Sequence, residues 1–266
     1  MNGELKNKKL FLLDMDGTIY IDDVLFEHSL KFLNAIKAKG GEFVFLTNNS
    51  SKGVNDYIVR LSRLGIKVNK SNFLTSSQAT ALYLKENYGD KKIYVLGTKS
   101  LKKEFEDNNI WITDKYEDDI NCLVVGYDTE LTYSKLVDAC RLLITKDIDF
   151  IATNPDLICP VSFGYVPDCG SICDMLKVAT KRKAKYIGKP NPTMVELAVK
   201  NSRFAKGETI VIGDRLYTDI ACGINAKVST ALVLSGETKK EDLSKSKYKP
   251  DYIFHDIGEI YNYYTT

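Results

Sequence analysis

The residues Leu10-Phe11-Leu12-Leu13 run apolar without a break and stop on Asp14-Met15-Asp16-Gly17-Thr18. A short apolar run with no polar alternation predicts a strand buried on both faces, as in a parallel sheet covered by helices. The two carboxylates at its end repel one another unless a cation sits between them. A divalent metal meets that need, and hard Mg2+ prefers such oxygen ligands. In open α/β sheets the carboxyl ends of the strands are also where ligands bind.

The same pattern recurs down the chain. Strand signals are predicted over 42–46, 93–96, 122–125, 150–152, 186–188, 209–212, 231–234 and 252–254. Helical spacing falls between them, over 27–39, 53–64, 101–107, 135–144, 171–180 and 192–201, with another helix starting near Thr218. Alternation of this kind predicts an α/β fold with a mainly parallel sheet. The stretch between 153 and 168 is rich in turn residues.

Four groups of polar residues stand at or just beyond strand ends: Asp14 with Asp16, Thr47 with Asn48, Lys189, and Asp214 with Asp219. If the strands are parallel neighbours, all of these converge on one rim. Phosphoryl transfer needs such a set: a nucleophile, a proton shuttle, a metal and donors for the equatorial oxygens. Asp14 is the candidate nucleophile, since a carboxylate can form an aspartyl phosphate and split the reaction into two easier steps. Asp16 would protonate the leaving alkoxide and later activate water. Thr47, Asn48 and Lys189 offer a hydroxyl, an amide and a positive charge to phosphate oxygens. Asp214 would close the metal shell, supported by Asp219.

Other classes lack their signatures. No GxGxxG, GxxxxGK or GxSxG occurs. Only two histidines are present, His28 and His255, which disfavours a histidine metal site or a Ser-His-Asp triad. The 37 basic and 35 acidic residues give a net charge of +2, so no nucleic acid partner is expected. No apolar run approaches the ~20 residues of a membrane span, and no membrane partner is expected. The first residues show no secretory signal. The six cysteines lack CxxC spacing, which points to reduced thiols and a cytoplasmic location.

With these residues in view, the chain resembles the haloacid dehalogenase superfamily of phosphohydrolases. Asp14-Met15-Asp16-Gly17-Thr18 is similar to its first motif, DxDGT; Thr47 matches the second and Lys189 the third. Gly213-Asp214 through Thr218-Asp219 matches the fourth, GDxxxTD. The resemblance implies a Rossmann-like, doubly wound parallel-sheet core. It also implies Mg2+ as cofactor, with Asp14, Asp16 (through its main-chain carbonyl) and Asp214 as ligands.

Spacing places the chain within that superfamily. Only 30 residues separate Asp16 from Thr47, whereas 141 separate Thr47 from Lys189. The second interval exceeds the needs of the core sheet by about a hundred residues, enough for a small α/β domain. The position resembles that of a type-two cap. The runs Phe45–Ser51, Ala152–Asp156 and Gly188–Pro192 look like the class IIA, nitrophenylphosphatase-like branch. The expected organisation is therefore a core over 1–79 and 184–266 with an inserted smaller α/β cap over 80–183. The loop 164–171, with Tyr165 and Asp168, is the candidate cap specificity loop, because it leads into a helix N-terminus. By resemblance a homodimer through the cap is expected.

The expected activity is Mg2+-dependent hydrolysis of a small phosphate monoester. Sugar phosphates, nucleoside monophosphates, glycerol phosphate and pyridoxal phosphate stay open as substrates. One alternative is a phosphomutase of the same superfamily, which the motif spacing disfavours. Another is a phospho-acceptor signalling module, which needs only one small domain.

Overall fold

A computed structural model describes residues 4–161 and 163–266. Two compact units emerge, and each is an α/β layer structure in its own right. The first comprises Met1–Thr47, Tyr57–Leu74 and Lys189–Thr266; the second comprises Asn48–Asp56 and Thr75–Gly188.

The first unit is built on a six-stranded sheet. Across it the strands run Phe73–Thr75, Glu42–Thr47, Leu10–Leu13, Thr209–Gly213, Ser229–Val233 and Tyr252–Phe254. The strand that comes first in the chain thus lies near the centre, with later strands lying on one side and then on the other, the order of a doubly wound sheet. Leu10–Leu13 pairs in parallel with both neighbours, so that Leu13 lies opposite Phe45 on one side and Ile212 on the other. All four of its residues are buried, as an uninterrupted apolar run requires. The helix Ser29–Ala38 contributes Phe32, Leu33 and Ile36 to the core on a helical spacing. Phe11 meets Phe32 and Tyr264 edge-on at 5.5 and 5.2 Å, fixing two helices against one face of the sheet. Because the chain leaves Leu10–Leu13 on one side and returns beside it at Thr209, a crevice opens at the carboxyl ends of these two strands.

The second unit has a five-stranded parallel sheet in the order Lys185–Tyr186, Asp149–Ala152, Ile120–Val125, Lys92–Leu96, Ile112–Thr113. Its core gathers Tyr94, Leu123, Val125, Leu142, Phe150, Ile172 and Leu176. The turn-rich stretch folds as an antiparallel hairpin, Ile158–Val161 with Gly164–Pro167. A buried polar network underpins that hairpin. Asn154 donates to Asp156 (2.9 Å) and to Asp168 (3.0 Å), and Asn48 also donates to Asp156 (2.6 Å). Asp168 caps the helix Cys169–Thr180 by accepting from the Cys169 N–H. Asp168→Ala removes the cap and leaves the Asn154 amide short of a partner. A loss of about 2–3 kcal/mol is expected, to be read from urea unfolding. Among the described residues no helix is long and apolar enough to cross a membrane.

Candidate active site

The crevice of the first unit is furnished by strand ends. The Asp14 N–H donates to Ile212 O at 2.9 Å, extending the ladder one residue beyond Leu13. On the neighbouring strand Gly213 is the last residue, and Asp214 follows it. A π-helical turn, Leu216–Ile220, then carries Asp219 back to the same place. Lys189 donates from its Nζ to Asp14 Oδ1 and Asp219 Oδ1, each at 2.6 Å, and to Leu46 O at 3.0 Å. Asp14, Asp214 and Asp219 bring carboxylate oxygens within 4.8 Å of one another.

Two glycines make this convergence feasible. Gly17 has φ +82°, and a Cβ there would lie 2.7 Å from Asp214 Oδ2. At Gly213 a Cβ would lie 2.3 Å from the Asp219 side chain, which could not then reach Lys189. Glycine in the first and fourth motifs is thus a condition for packing the acids together.

The electrostatics show a shortage of positive charge. Burial pushes Asp14 well above the usual carboxylate range; Lys189 opposes this, while Asp219 and Asp214 add to it. Burial, then repulsion from Asp219, pushes Asp214 up to about 7. For Lys189 burial alone would favour the neutral amine, but Asp14 and Asp219 more than offset it and keep the ammonium. Asp14 and Asp219 therefore share the Lys189 ammonium, while for Asp214 the opposing positive charge is the Arg215 guanidinium.

The residues fit a divalent cation. Asp219 has both oxygens engaged, Oδ1 by Lys189 and Oδ2 by the Arg215 N–H at 3.1 Å. Asp214 differs: Oδ2 accepts from the Glu237 N–H at 2.7 Å, while Oδ1 is buried with no hydrogen-bond partner. An orphaned, buried carboxylate oxygen beside other acids is costly unless a cation takes it. Asp14 and Asp214 are thus placed to hold a hard cation, with Asp219 supporting Lys189.

The remaining residues singled out in the sequence fall in different places. Thr47 is buried at the end of the strand beside Leu10–Leu13, two residues beyond Phe45. The Asp16 carboxylate is half exposed and outside the acidic cluster; it lies 3.6 Å from Arg60 Nη1 and accepts weakly from Tyr20 at 3.5 Å. Asn48 and Asp168 belong to the buried network of the second unit. Tyr165 is 61% exposed on the hairpin. Arg60, Arg215 and Glu237, which contact or flank the acids, are not legible in the sequence. Arg60 could have been sought only as a basic residue on the helix after Thr47, a signal shared by many surface helices.

Comparison with known proteins follows this geometry. A family model for haloacid dehalogenase-like hydrolases matches residues 11–110, and a second, HAD-hydrolase-like model matches 186–260. The 5'-nucleotidase YutF of Bacillus subtilis is 32% identical over 96% of this chain and 98% of its own. The structure of a 4-nitrophenylphosphatase from Thermotoga maritima superposes with a TM-score of 0.92 at 42% identity, covering 97% of this chain and 98% of that one. A glycerol phosphate phosphatase from Mycobacterium tuberculosis, solved in complex with magnesium, gives 0.89 at 26% identity over 96% and 76% of the two chains. The chain belongs to the haloacid dehalogenase-like hydrolases, in the class IIA branch of nitrophenylphosphatase-like enzymes. Within that superfamily it is a phosphatase, a phosphoric monoester hydrolase.

Proposed function

We propose that this phosphatase hydrolyses small phosphate monoesters through an aspartyl phosphate on Asp14, with Mg2+ as cofactor. The observation that carries this reading is the Asp14 carboxylate. It is held by Lys189 through Oδ1, at the switch point of the sheet and beside the orphaned Oδ1 of Asp214. Asp14 attacks phosphorus through its other oxygen, the ester P–O bond breaks, and the Asp16 carboxyl gives its proton to the departing alkoxide. Water, giving its proton to Asp16, then attacks the same phosphorus and releases inorganic phosphate and the Asp14 carboxylate. Thr47, Asn48 and Lys189 are assigned to the phosphate oxygens. Asp14 and Asp214, with the main-chain carbonyl of Asp16 by family resemblance, would hold Mg2+, which neutralises phosphoryl charge when bound.

The names of the relatives cover a nucleotide, a nitrophenyl ester and glycerol phosphate, so they share the phosphoryl group and not the leaving group. We therefore assign choice of leaving group to the second unit acting as the cap, with exposed Tyr165 as its candidate contact. Phosphate release from a panel of monoesters tests the whole reading. Excess chelator is expected to abolish turnover, and Mg2+ to restore it. Ca2+ is expected to support turnover poorly, since its larger, looser shell suits the site less well. Full activity in chelator would remove Mg2+ from the mechanism.

A further inference from the structure

Glu237 lies outside all four sequence motifs, yet three interactions tie it to Asp214 and to two residues of the turn that follows, Arg215 and Tyr217. Its backbone N–H donates to Asp214 Oδ2 at 2.7 Å. Its carboxylate receives Arg215 Nε on Oε2 and the Tyr217 hydroxyl on Oε1, each at 2.8 Å. Arg215 and Tyr217 flank Leu216 just beyond Asp214, so Glu237 is bound to the motif by backbone and side chain together.

The neighbouring backbone reinforces this. Ser235 donates to Gly17 O at 2.7 Å, and the Thr238 N–H to Asp214 O at 3.3 Å. At Gly236 a Cβ would lie 2.0 Å from Asp214 Oδ2, so only glycine lets the segment approach this closely. The segment 235–238 therefore closes over one oxygen of Asp214 and leaves the other, Oδ1, as the buried atom with no partner. A carboxylate free to rotate would present either oxygen to either neighbour. Here the Glu237 N–H selects which one is offered.

We propose that Glu237 is a positioning residue for the cation site: pinned by Arg215 and Tyr217, its backbone N–H holds Asp214 Oδ2 and so orients Oδ1 toward the metal. The inference rests on the assignment of Asp214 as a metal ligand made above. Outer partners of ligating carboxylates are commonly worth 10–100-fold in metal affinity. Glu237→Gln keeps the shape but discharges the grip on Arg215.

The test uses the full-length, metal-stripped enzyme titrated with Mn2+, an oxygen-preferring stand-in for Mg2+, with free ion read by electron paramagnetic resonance. Mn2+ binding by Glu237→Gln is expected to be about tenfold weaker than by the unaltered enzyme, with KM for p-nitrophenyl phosphate unchanged at saturating metal and kcat largely restored there. Tyr217→Phe removes one hydrogen bond from a half-exposed ring, so it retains the fold; a smaller weakening, about twofold to threefold, is expected. It carries the test if thermal melting shows Glu237→Gln to be unfolded. Unaltered Mn2+ affinity in the folded variants would overturn the positioning role. Failure of the unaltered enzyme to bind Mn2+, or full binding by Asp214→Asn, would instead overturn the assignment of Asp214 on which it stands.

Discussion

Asp14→Asn is expected to lower kcat by at least about three orders of magnitude, the scale of losing a nucleophile. The amide keeps the shape of the side chain but removes the attacking anion, and it cannot form an acyl phosphate. Lys189 now donates to Asp14 and Asp219 at 2.6 Å each, so in the variant it keeps Asp219 as a charged partner. The exchange also takes one negative charge out of the three clustered acids beside Lys189. Metal-free Asp14→Asn is therefore expected to melt no lower than the unaltered protein, which separates lost chemistry from lost folding. Single-turnover assays with thermal melts check both halves. Substantial residual turnover would show that another group attacks phosphorus.

Lys189→Ala should produce the opposite combination, with activity and stability falling together. Its ammonium is buried at 3% exposure and is bonded to two carboxylates and the Leu46 carbonyl. Removing one partner of a buried ion pair leaves uncompensated charge, at a cost of about 3–5 kcal/mol. Three acids would then face one another without the ammonium, and the phosphate oxygens would lose their fixed cation. Every substrate should suffer alike, because all share the phosphoryl group, and inhibition by inorganic phosphate should weaken as well. Mg2+ should recover part of the stability by supplying positive charge to the same acids. Urea unfolding with and without Mg2+ checks the first point, and a substrate panel the second. A variant as stable as the unaltered protein, or one that reorders substrates, would contradict this account of Lys189.

Much of the first unit could be read directly. The buried strands Leu10–Leu13 and Thr209–Gly213 announce themselves because both faces are covered and the runs Leu10–Leu13 and Ile210–Ile212 are apolar throughout. The helix Ser76–Tyr88 carries no such signal, for a related reason. Its buried residues include Ser76, Ser77, Ala79, Thr80 and Ala81, which are too small and polar to form an apolar stripe. Its start was nonetheless written in the chain, as the capping box of Thr75 with Gln78. The helix Ile257–Thr265 is marked in the sequence only by its cap, Asp256, which accepts from the Gly258 and Glu259 N–H groups.

Local sequence determined which residues end the strands, because burial and strand termination act over a few neighbouring positions. Asp14, Thr47 and Asp214 do stand at the ends of strands of the six-stranded sheet, whereas Lys189 follows Lys185–Tyr186, which pairs in the five-stranded sheet and not beside Leu10–Leu13 as the sequence suggests. Which oxygen of each acid is engaged was decided only in three dimensions. Lys189 reaches Asp14 across 175 positions, and Glu237 reaches Asp214 across 23. The separation of Asp16 from the acidic cluster, toward Arg60, was likewise decided there. Such pairings depend on sheet order, on close approach at Gly17, Gly213 and Gly236, and on the charge balance of a buried space. None of these is carried by the residues on either side along the chain.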